Sequence, residues 1–244
     1  MPDLDSLWRA AAGAGYLRAC RDVSSGVEGD AGEKHGASAG SSDDLGRQVE
    51  ALRVWAVANG RVIAYASLPL LNKGGREHYI VDPVETCGHI FKVTIGPEFG
   101  YYPCCFPNQQ WRDVCNWFST RKATPLEYFE RLLLLNELFP RGDTQLLGFT
   151  DRHESLHAVT AQLIARGRPA AIGEMVAWLT GEGFTFISLA TWFRAADGVA
   201  LFDVLDKNVM LCDDGAMVPF DVIPIRCEGD FLTMMRAAEA RMKG

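Results

Sequence analysis

Three oxygen-bearing side chains surround a predicted β-hairpin near the end of the sequence: Asp203, Asn208 and Asp221. Two short apolar runs joined by Asp213-Asp214-Gly215 indicate the hairpin, because an Asp-Gly turn between apolar runs is a strong hairpin signal. The open ends of a hairpin lie side by side, so we expect Asn208 and Asp221 to be neighbours, with Asp203 on the loop that enters the hairpin. Mg²⁺ accepts such oxygens together with phosphate and water ligands. The pattern therefore predicts a magnesium site.

A second candidate is a lysine on a predicted strand. Residues 89–95 alternate in polarity, so Ile90, Lys92 and Thr94 share one face. A glycine turn that contains Gly74 and Gly75 precedes this strand. Lysine binds phosphate as a point charge. The alternative is that Lys92 is an ordinary solvated lysine, because many strands alternate in this way.

Residues 124–139 carry a strong helix start. Thr124 suits the N-cap, Pro125 suits the first helical position, and Glu127 completes a capping box. Glu127 and Glu130 lie three residues apart on the polar face. Glu127 is thus either a capping partner or a functional carboxylate, and Glu130 is either functional or simply solvated.

The other elements follow from periodicity and turn chemistry. Residues 22–46 are rich in Gly, Ser and acidic residues, which predicts a flexible linker after an N-terminal helix over residues 4–20. Helices are predicted over residues 172–181 and 230–244. Strands are predicted over residues 61–65, 79–82, 144–149, 157–165, 209–212 and 216–220, with turns at 166–169 and 213–215.

Composition excludes several classes of protein. The chain has 244 residues, of which 48% are hydrophobic, and its net charge is −7. It is neither collagen-like nor disordered throughout, and its acidity argues against broad nucleic-acid binding. No apolar stretch is long enough to predict a membrane span, and the acidic beginning does not resemble a secretion signal, so a cytoplasmic location is expected. The irregularly spaced cysteines, Cys104, Cys105 and Cys115 included, are expected to be reduced thiols rather than zinc ligands.

The spacing of Asp203, Asn208 and Asp221 resembles the core of the protein-kinase-like fold. There the first Asp is the catalytic base, and the Asn and last Asp hold metal. The resemblance implies that Lys92 orients the ATP phosphates and that Glu127, or else Glu130, is the helix glutamate that pairs with it. It further implies that Gly74, Gly75 and Gln162 contact the nucleotide. Asp206 competes with Asp203 for the role of base, but it lies two residues from Asn208 and is expected to cap the loop.

More narrowly, the sequence resembles the kinase domain of polyvalent proteins of phages and mobile elements, over residues 52–225. The segments that carry this resemblance are Gly75-Arg76-Glu77-His78, Phe91-Lys92-Val93, Pro125-Leu126-Glu127-Tyr128, Asn136-Glu137-Leu138-Phe139, Ala161-Gln162, Gly183-Phe184, residues 203–208, Asp214-Gly215 and Pro219-Phe220-Asp221. The implied fold is α+β, compact and bilobal. We predict that residues 1–21 form the N-terminal helix and that residues 22–46 form the linker. Residues 47–160 form a β-rich N-lobe with its helix, and 161–244 a hinge and reduced helical C-lobe with the catalytic hairpin.

Three departures from the kinase pattern bear on function. Leu201-Phe202 stands where His-Arg is usual, Leu205 replaces a lysine, and Asp221-Val222-Ile223 lacks the glycine of Asp-Phe-Gly. Because few residues follow Asp221, we expect a regular peptide-binding lobe to be missing or to be supplied by another chain. The leading hypothesis is an atypical ATP- and Mg²⁺-dependent phosphotransferase that acts on a hydroxyl of a small molecule or protein. The alternatives are a pseudokinase that only binds nucleotide and a non-enzymatic interaction module of a mobile-element protein.

Overall fold

The computed structural model describes residues 20, 42–68, 70–71, 77–81, 88–95, 99–104, 119–188 and 190–243. Apart from Cys20, the predicted N-terminal helix lies outside these residues, and so does the predicted linker up to residue 41. The described residues form a mixed α+β protein, which confirms the predicted fold class at that level.

The helices are α1 (Ser42–Ala58), α2 (Pro125–Leu138), α3 (Ile172–Gly181) and α4 (Gly229–Lys243). The strands are β1 (Leu70–Leu71), β2 (His78–Val81), β3 (His89–Thr94), β4 (Tyr101–Cys104), β5 (Ser119–Lys122), β6 (Thr144–Arg152), β7 (Ser155–Leu163), β8 (Gly167–Pro169), β9 (Thr185–Ser188), β10 (Thr191–Arg194), β11 (Val199–Phe202), β12 (Val209–Cys212), β13 (Met217–Pro219) and β14 (Ile223–Arg226).

The chain divides into two compact units. Unit 1 comprises Met1–Tyr101, Lys122–Leu132 and Thr144–Ile164, and unit 2 comprises Tyr102–Arg121, Leu133–Asp143 and Ala165–Gly244. Helix α2 begins in unit 1 and ends in unit 2. The last boundary lies after Ile164, near the start of the region 161–244 that is predicted to contain the hinge.

Unit 1 is built on an antiparallel sheet in the order β1-β2-β3-β7-β6. Strand β3 is central, and its Lys92 lies opposite Ile80 on β2 and Thr160 on β7. Phe91 and Val93 are buried on one face, and Lys92 and Thr94 are buried on the other. The predicted alternation is therefore present, but both faces of the strand are covered.

Helix α2 begins with the predicted capping box. The Thr124 N–H donates to Glu127 Oε2 at 2.9 Å, and the Glu127 N–H donates to Thr124 Oγ1 at 3.3 Å. The Leu126 N–H donates to Gln48 Oε1 of α1 at 3.0 Å. A helix start leaves its first N–H groups without partners inside the helix. Here side chains accept from two of them, and Glu127 also accepts from the N-cap.

Unit 2 contains a sheet in the order β14-β11-β10-β9 and a second in the order β13-β12-β8. Its largest core joins Leu135 of α2 and Leu179 of α3 to Trp192 and Leu201 of the first sheet. This unit therefore contains more β-strands than we predicted from the sequence, which indicated a mainly helical lobe. The runs that form β9, β10, β11 and β14 are each four residues long, and such short apolar runs carry little periodic signal.

Three local predictions are corrected by the structure. Residues 61–65 are not a strand: Val62 makes an isolated bridge to Phe149, and a short 3₁₀ helix begins at Tyr65. Residues 42–46, predicted as the end of the linker, begin α1. The predicted turn at 166–169 contains β8, which pairs with β12. In each case tertiary pairing or packing decided between local conformations that the sequence left close in energy.

Gly148 provides a test of packing in unit 1. A Cβ at this position would lie 2.4 Å from the Arg61 carbonyl oxygen, which also accepts from the Phe149 N–H at 2.8 Å. We expect Gly148→Ala to lower the free energy of unfolding by about 1–3 kcal/mol, because the added methyl forces the backbone apart. Urea denaturation measures this loss. Gly173→Ala is the control, since nothing lies within 4 Å of its added Cβ in α3; an equal loss there would contradict the packing argument.

Candidate active site

Asp203 leaves β11 in an uncommon backbone conformation. Its φ is 55°, in the left-handed region, where aspartate and asparagine are tolerated better than most side chains. The Val204 N–H donates to the Ala190 carbonyl at 3.1 Å and the Leu205 N–H donates to the Asp203 carbonyl at 3.0 Å. These bonds fix the loop around Asp203. Such constrained positions are common at functional sites.

Asn208 is the residue that holds Asp203. Its Nδ2 donates to the Asp203 carbonyl oxygen at 2.8 Å and to Asp203 Oδ2 at 2.9 Å. The Asn208 side chain is buried, and its backbone N–H donates to the Leu205 carbonyl at 2.9 Å. The structure thus brings together the two residues that the sequence placed five positions apart on one loop.

The hairpin brings Asp221 to the same end. Strands β12 and β13 pair with Val209 opposite Pro219, and the Phe220 N–H donates to the Asn208 carbonyl at 3.1 Å. Asp221 follows Phe220 directly and is exposed. At the open end of the hairpin, the buried residue Asn208 therefore lies next to the end of β13, two residues before Asp221.

These residues suit a hard cation in their donor chemistry. The Asn208 Nδ2 group is committed to Asp203, so the Oδ1 atom of that amide is the one suited to a cation. Asp203 and Asp221 supply carboxylates. Among the described residues there is no cluster of three His, Cys, Asp or Glu side chains placed to hold a metal. A metal at the hairpin would instead need the amide oxygen and ligands from a bound phosphate, as Mg²⁺ commonly has.

Asp206 lies on the same loop but serves a local turn. It is exposed, and its Oδ1 accepts from the Lys207 N–H at 2.8 Å. This contact is the loop-capping role that the sequence suggested for Asp206.

Lys92 lies in unit 1 and is only 7% exposed. The interpretation of Lys92 as a solvated surface lysine is therefore wrong. On the same face of the sheet lie Thr160 and Gln162, which are also buried, and Gln162 is opposite Thr144 on β6. A buried row of polar groups in the centre of a sheet is costly unless the groups are hydrogen-bonded.

The two candidate glutamates of α2 have different surroundings. Glu127 is engaged in the capping box with Thr124. Glu130 is exposed, and its charge acts on Cys20. Burial, with the added effect of Glu130 and Asp44, raises the pKa of the Cys20 thiol to about 12. The pairing of Lys92 with either glutamate stays a prediction. Gly74 and Gly75 lie outside the described residues.

The structure adds an ion pair that the sequence did not indicate. Arg131 of α2 pairs with Glu77, and its Nη1 donates to the Tyr101 carbonyl at 2.8 Å. Burial alone would raise the pKa of Glu77, but the Arg131 charge and hydrogen bond, His78 and the Tyr101 N–H together hold that pKa below its usual value. Arg131 lies in the helical stripe that contains the buried Tyr128 and Leu135, so a charge on an apolar face was the available signal.

The loop of Asp203 and Asn208 and the hairpin that follows it lie in unit 2. Residues 117–224 match the family described as Serine/Threonine/Tyrosine Kinase found in polyvalent proteins. The kinase match confirms the family resemblance for this segment. It includes α2, Asp203, Asn208 and Asp221, whereas Lys92 and Glu77 precede it.

The kinase match is shorter than the resemblance predicted from the sequence, which began at residue 52. It covers somewhat under half of the chain. No curated protein matches the chain. Within the described residues, every helix is too short or too polar to cross a bilayer.

Proposed function

We propose that this protein is an atypical kinase-like phosphotransferase that uses ATP with Mg²⁺ and transfers the γ-phosphate to a hydroxyl acceptor. The observation that carries the proposal is the double hydrogen bond from Asn208 to Asp203 at the base of the hairpin. It lies within the segment that matches the kinase family. The bilobal kinase-like arrangement is part of the same proposal. It is supported by Lys92 on the third strand of its sheet, with helix α2 later in the chain, after β4 and β5.

Asp203 is the proposed catalytic base. The acceptor hydroxyl oxygen forms a bond to the γ-phosphorus, the bond from that phosphorus to the β–γ bridging oxygen breaks, and ADP leaves with the electron pair. Asp203 takes the hydroxyl proton. The hydrogen bond from Asn208 Nδ2 to Asp203 Oδ2 holds the carboxylate in one orientation. Fixing this geometry before reaction is the main source of rate in such a step.

The remaining roles concern charge and orientation. Bound Mg²⁺ neutralises phosphate charge. Asn208 Oδ1 and the Asp221 carboxylate are its proposed protein ligands. Lys92 is proposed to contact the phosphates, and Gln162 the nucleotide. The burial of Lys92 supports this, since a desolvated ammonium interacts more strongly with an anion than a solvated one does.

A specific observation favours a second candidate, a pseudokinase that binds nucleotide without transfer. The positions usually held by His-Arg are Leu201 and Phe202, which are 1% and 2% exposed. Both side chains are part of the hydrophobic core and bring no polar group to the loop. The pseudokinase would share the nucleotide site and lack turnover.

Titration calorimetry with ATP separates these possibilities. We expect binding in the presence of Mg²⁺ that weakens at least about tenfold when the metal is chelated, because unscreened phosphate charge would then face the carboxylates Asp203 and Asp221. A matched assay of γ-phosphate loss follows on the same sample. Binding without phosphate loss supports the pseudokinase. Absence of ATP binding under both conditions would overturn both kinase-like readings and favour an interaction module.

A further inference from the structure

The ion pair of Glu77 and Arg131 joins helix α2 to the strand that carries Lys92. The Glu77 carbonyl accepts from the Ile95 N–H at 2.8 Å, directly after β3. The side chain of the same residue pairs with Arg131 of α2, whose Nη1 lies 3.3 Å from Glu77 Oε1. Glu77 thus links two elements: its backbone carbonyl contacts the end of β3, and its carboxylate contacts helix α2.

A third partner closes the junction. The Tyr101 N–H donates to Glu77 Oε1 at 2.7 Å, and the Tyr101 carbonyl accepts from Arg131 at 2.8 Å. Glu77 and Arg131 side chains are 18% and 6% exposed. Buried charges are tolerated where the pair and its remaining hydrogen bonds are satisfied, as they are here.

The junction is also sterically defined. Gly100 has a φ of +80°, and a Cβ there would lie 2.8 Å from Glu77 Cδ and 3.0 Å from Arg131 Nη2. A larger residue would be strained in its backbone and would push the two side chains apart. The close approach at Gly100 therefore leaves no room for a side chain beside the ion pair.

The two candidate glutamates of α2 lie in other surroundings. Glu127 closes the capping box, and Glu130 is exposed on the side of Cys20. In the buried pair of Glu77 and Arg131, helix α2 supplies the arginine, and the acid comes from the residue before β2. Relative to a strand lysine paired with a helix glutamate, the charges are exchanged between helix and sheet.

We propose that Glu77 and Arg131 are positioning residues for the phosphotransfer reaction, and that their junction with Tyr101 sets the position of α2 against the strand of Lys92. This inference rests on the proposed function. The pair acts through Lys92 and touches no reacting atom.

Glu77→Gln and Arg131→Lys test the junction in the full chain. Glu77→Gln keeps the side-chain shape and the hydrogen bond from the Tyr101 N–H, but it removes the negative charge. Arg131→Lys keeps the positive charge but loses the bidentate contact with Glu77. We expect each to lower kcat about 10- to 100-fold, as a displacement near 1 Å does, while the KM for ATP changes less than about threefold. Amide hydrogen exchange should rise over residues 125–132. Glu137→Gln, at an exposed surface ion pair of the same helix, is the control.

The double variant Glu77→Gln/Arg131→Gln separates a loss of positioning from a loss of folding, because it leaves no unpaired buried charge. Its kcat should fall as far as that of Glu77→Gln, with near-wild-type melting. The proposal is overturned if Glu77→Gln changes neither kcat nor exchange in α2, or if Glu127→Gln lowers kcat as far as Lys92→Met does while Glu77→Gln stays active. Failure of the proposed function is separate: the wild type would not turn over ATP, and the exchange comparison alone would then decide whether the pair positions the helix.

Discussion

Replacement of Asp203 by Asn is expected to abolish most phosphotransfer without unfolding the protein. Asparagine tolerates the φ of 55° about as well as aspartate does, and its side-chain oxygen can still accept from Asn208 Nδ2. What it loses is the ability to take a proton. Removal of a general base typically lowers the rate about 10²- to 10⁴-fold, so we expect kcat to fall within that range.

Steady-state turnover and ATP titration on the same preparation check this expectation. The affinity for Mg²⁺ and ATP should change little, because Asn208 and Asp221 remain. Asp206→Asn is the matched control: it makes the same chemical change three residues along the loop, at an exposed side chain whose Oδ1 accepts from the Lys207 N–H. Equal losses in the two variants, or full activity of Asp203→Asn, would remove Asp203 from the role of base.

Replacement of Asp221 by Asn is the second change with a large expected effect. Asp221 is exposed, so this substitution should alter the free energy of unfolding by no more than about 0.5 kcal/mol. Its proposed task is to bind Mg²⁺. Even residues that only support a metal ligand typically contribute about 10- to 100-fold, so we expect Mg²⁺-dependent turnover to fall at least about 100-fold.

A magnesium titration of turnover measures the effect. The concentration of Mg²⁺ needed for half-maximal rate should rise in Asp221→Asn and stay at the wild-type value in Asp213→Asn, which changes an exposed carboxylate at the opposite, turn end of the hairpin. Turnover in Asp221→Asn with an unchanged magnesium requirement would show that this carboxylate does not hold the metal.

The hairpin and the capping box were predictable because their signals are local. Asp214-Gly215 specifies a tight turn, and Gly215 does adopt a positive φ of 86°. The residues on either side of this turn then pair in a fixed register. Counting residues outward from the turn therefore places Asn208 beside the end of β13. The start of α2 was equally local, since Thr124, Pro125 and Glu127 act within one helical turn.

The junction of Glu77 with Arg131 lay beyond sequence reasoning because it is not local. The two residues are separated by 54 positions and meet only when β2 and α2 pack in unit 1. The burial of Lys92 was hidden for the same reason: alternation shows that a strand has two faces but not that both are covered. The short strands of unit 2 depend on their neighbours in the sheet rather than on their own pattern.

The apolar pair Leu201 and Phe202 defines what is atypical about the candidate site. Both are core residues. The loop of Asp203 is therefore held by the packing of these two side chains and by the hydrogen bond from Asn208. A polar His-Arg pair would have required hydrogen-bond partners in the same place. The constrained backbone of Asp203 thus has a physical support even without those residues.

Transfer of radiolabelled γ-phosphate from ATP tests the central claim most directly. Wild-type protein is incubated with Mg²⁺ and labelled ATP, and release or transfer of the label is followed beside Asp203→Asn and Asp221→Asn. We predict label loss from ATP that requires Mg²⁺, occurs in the wild type and falls at least about 100-fold in both variants. Label loss at the same rate in all three proteins, or its absence from the wild type, would contradict phosphotransfer at this hairpin.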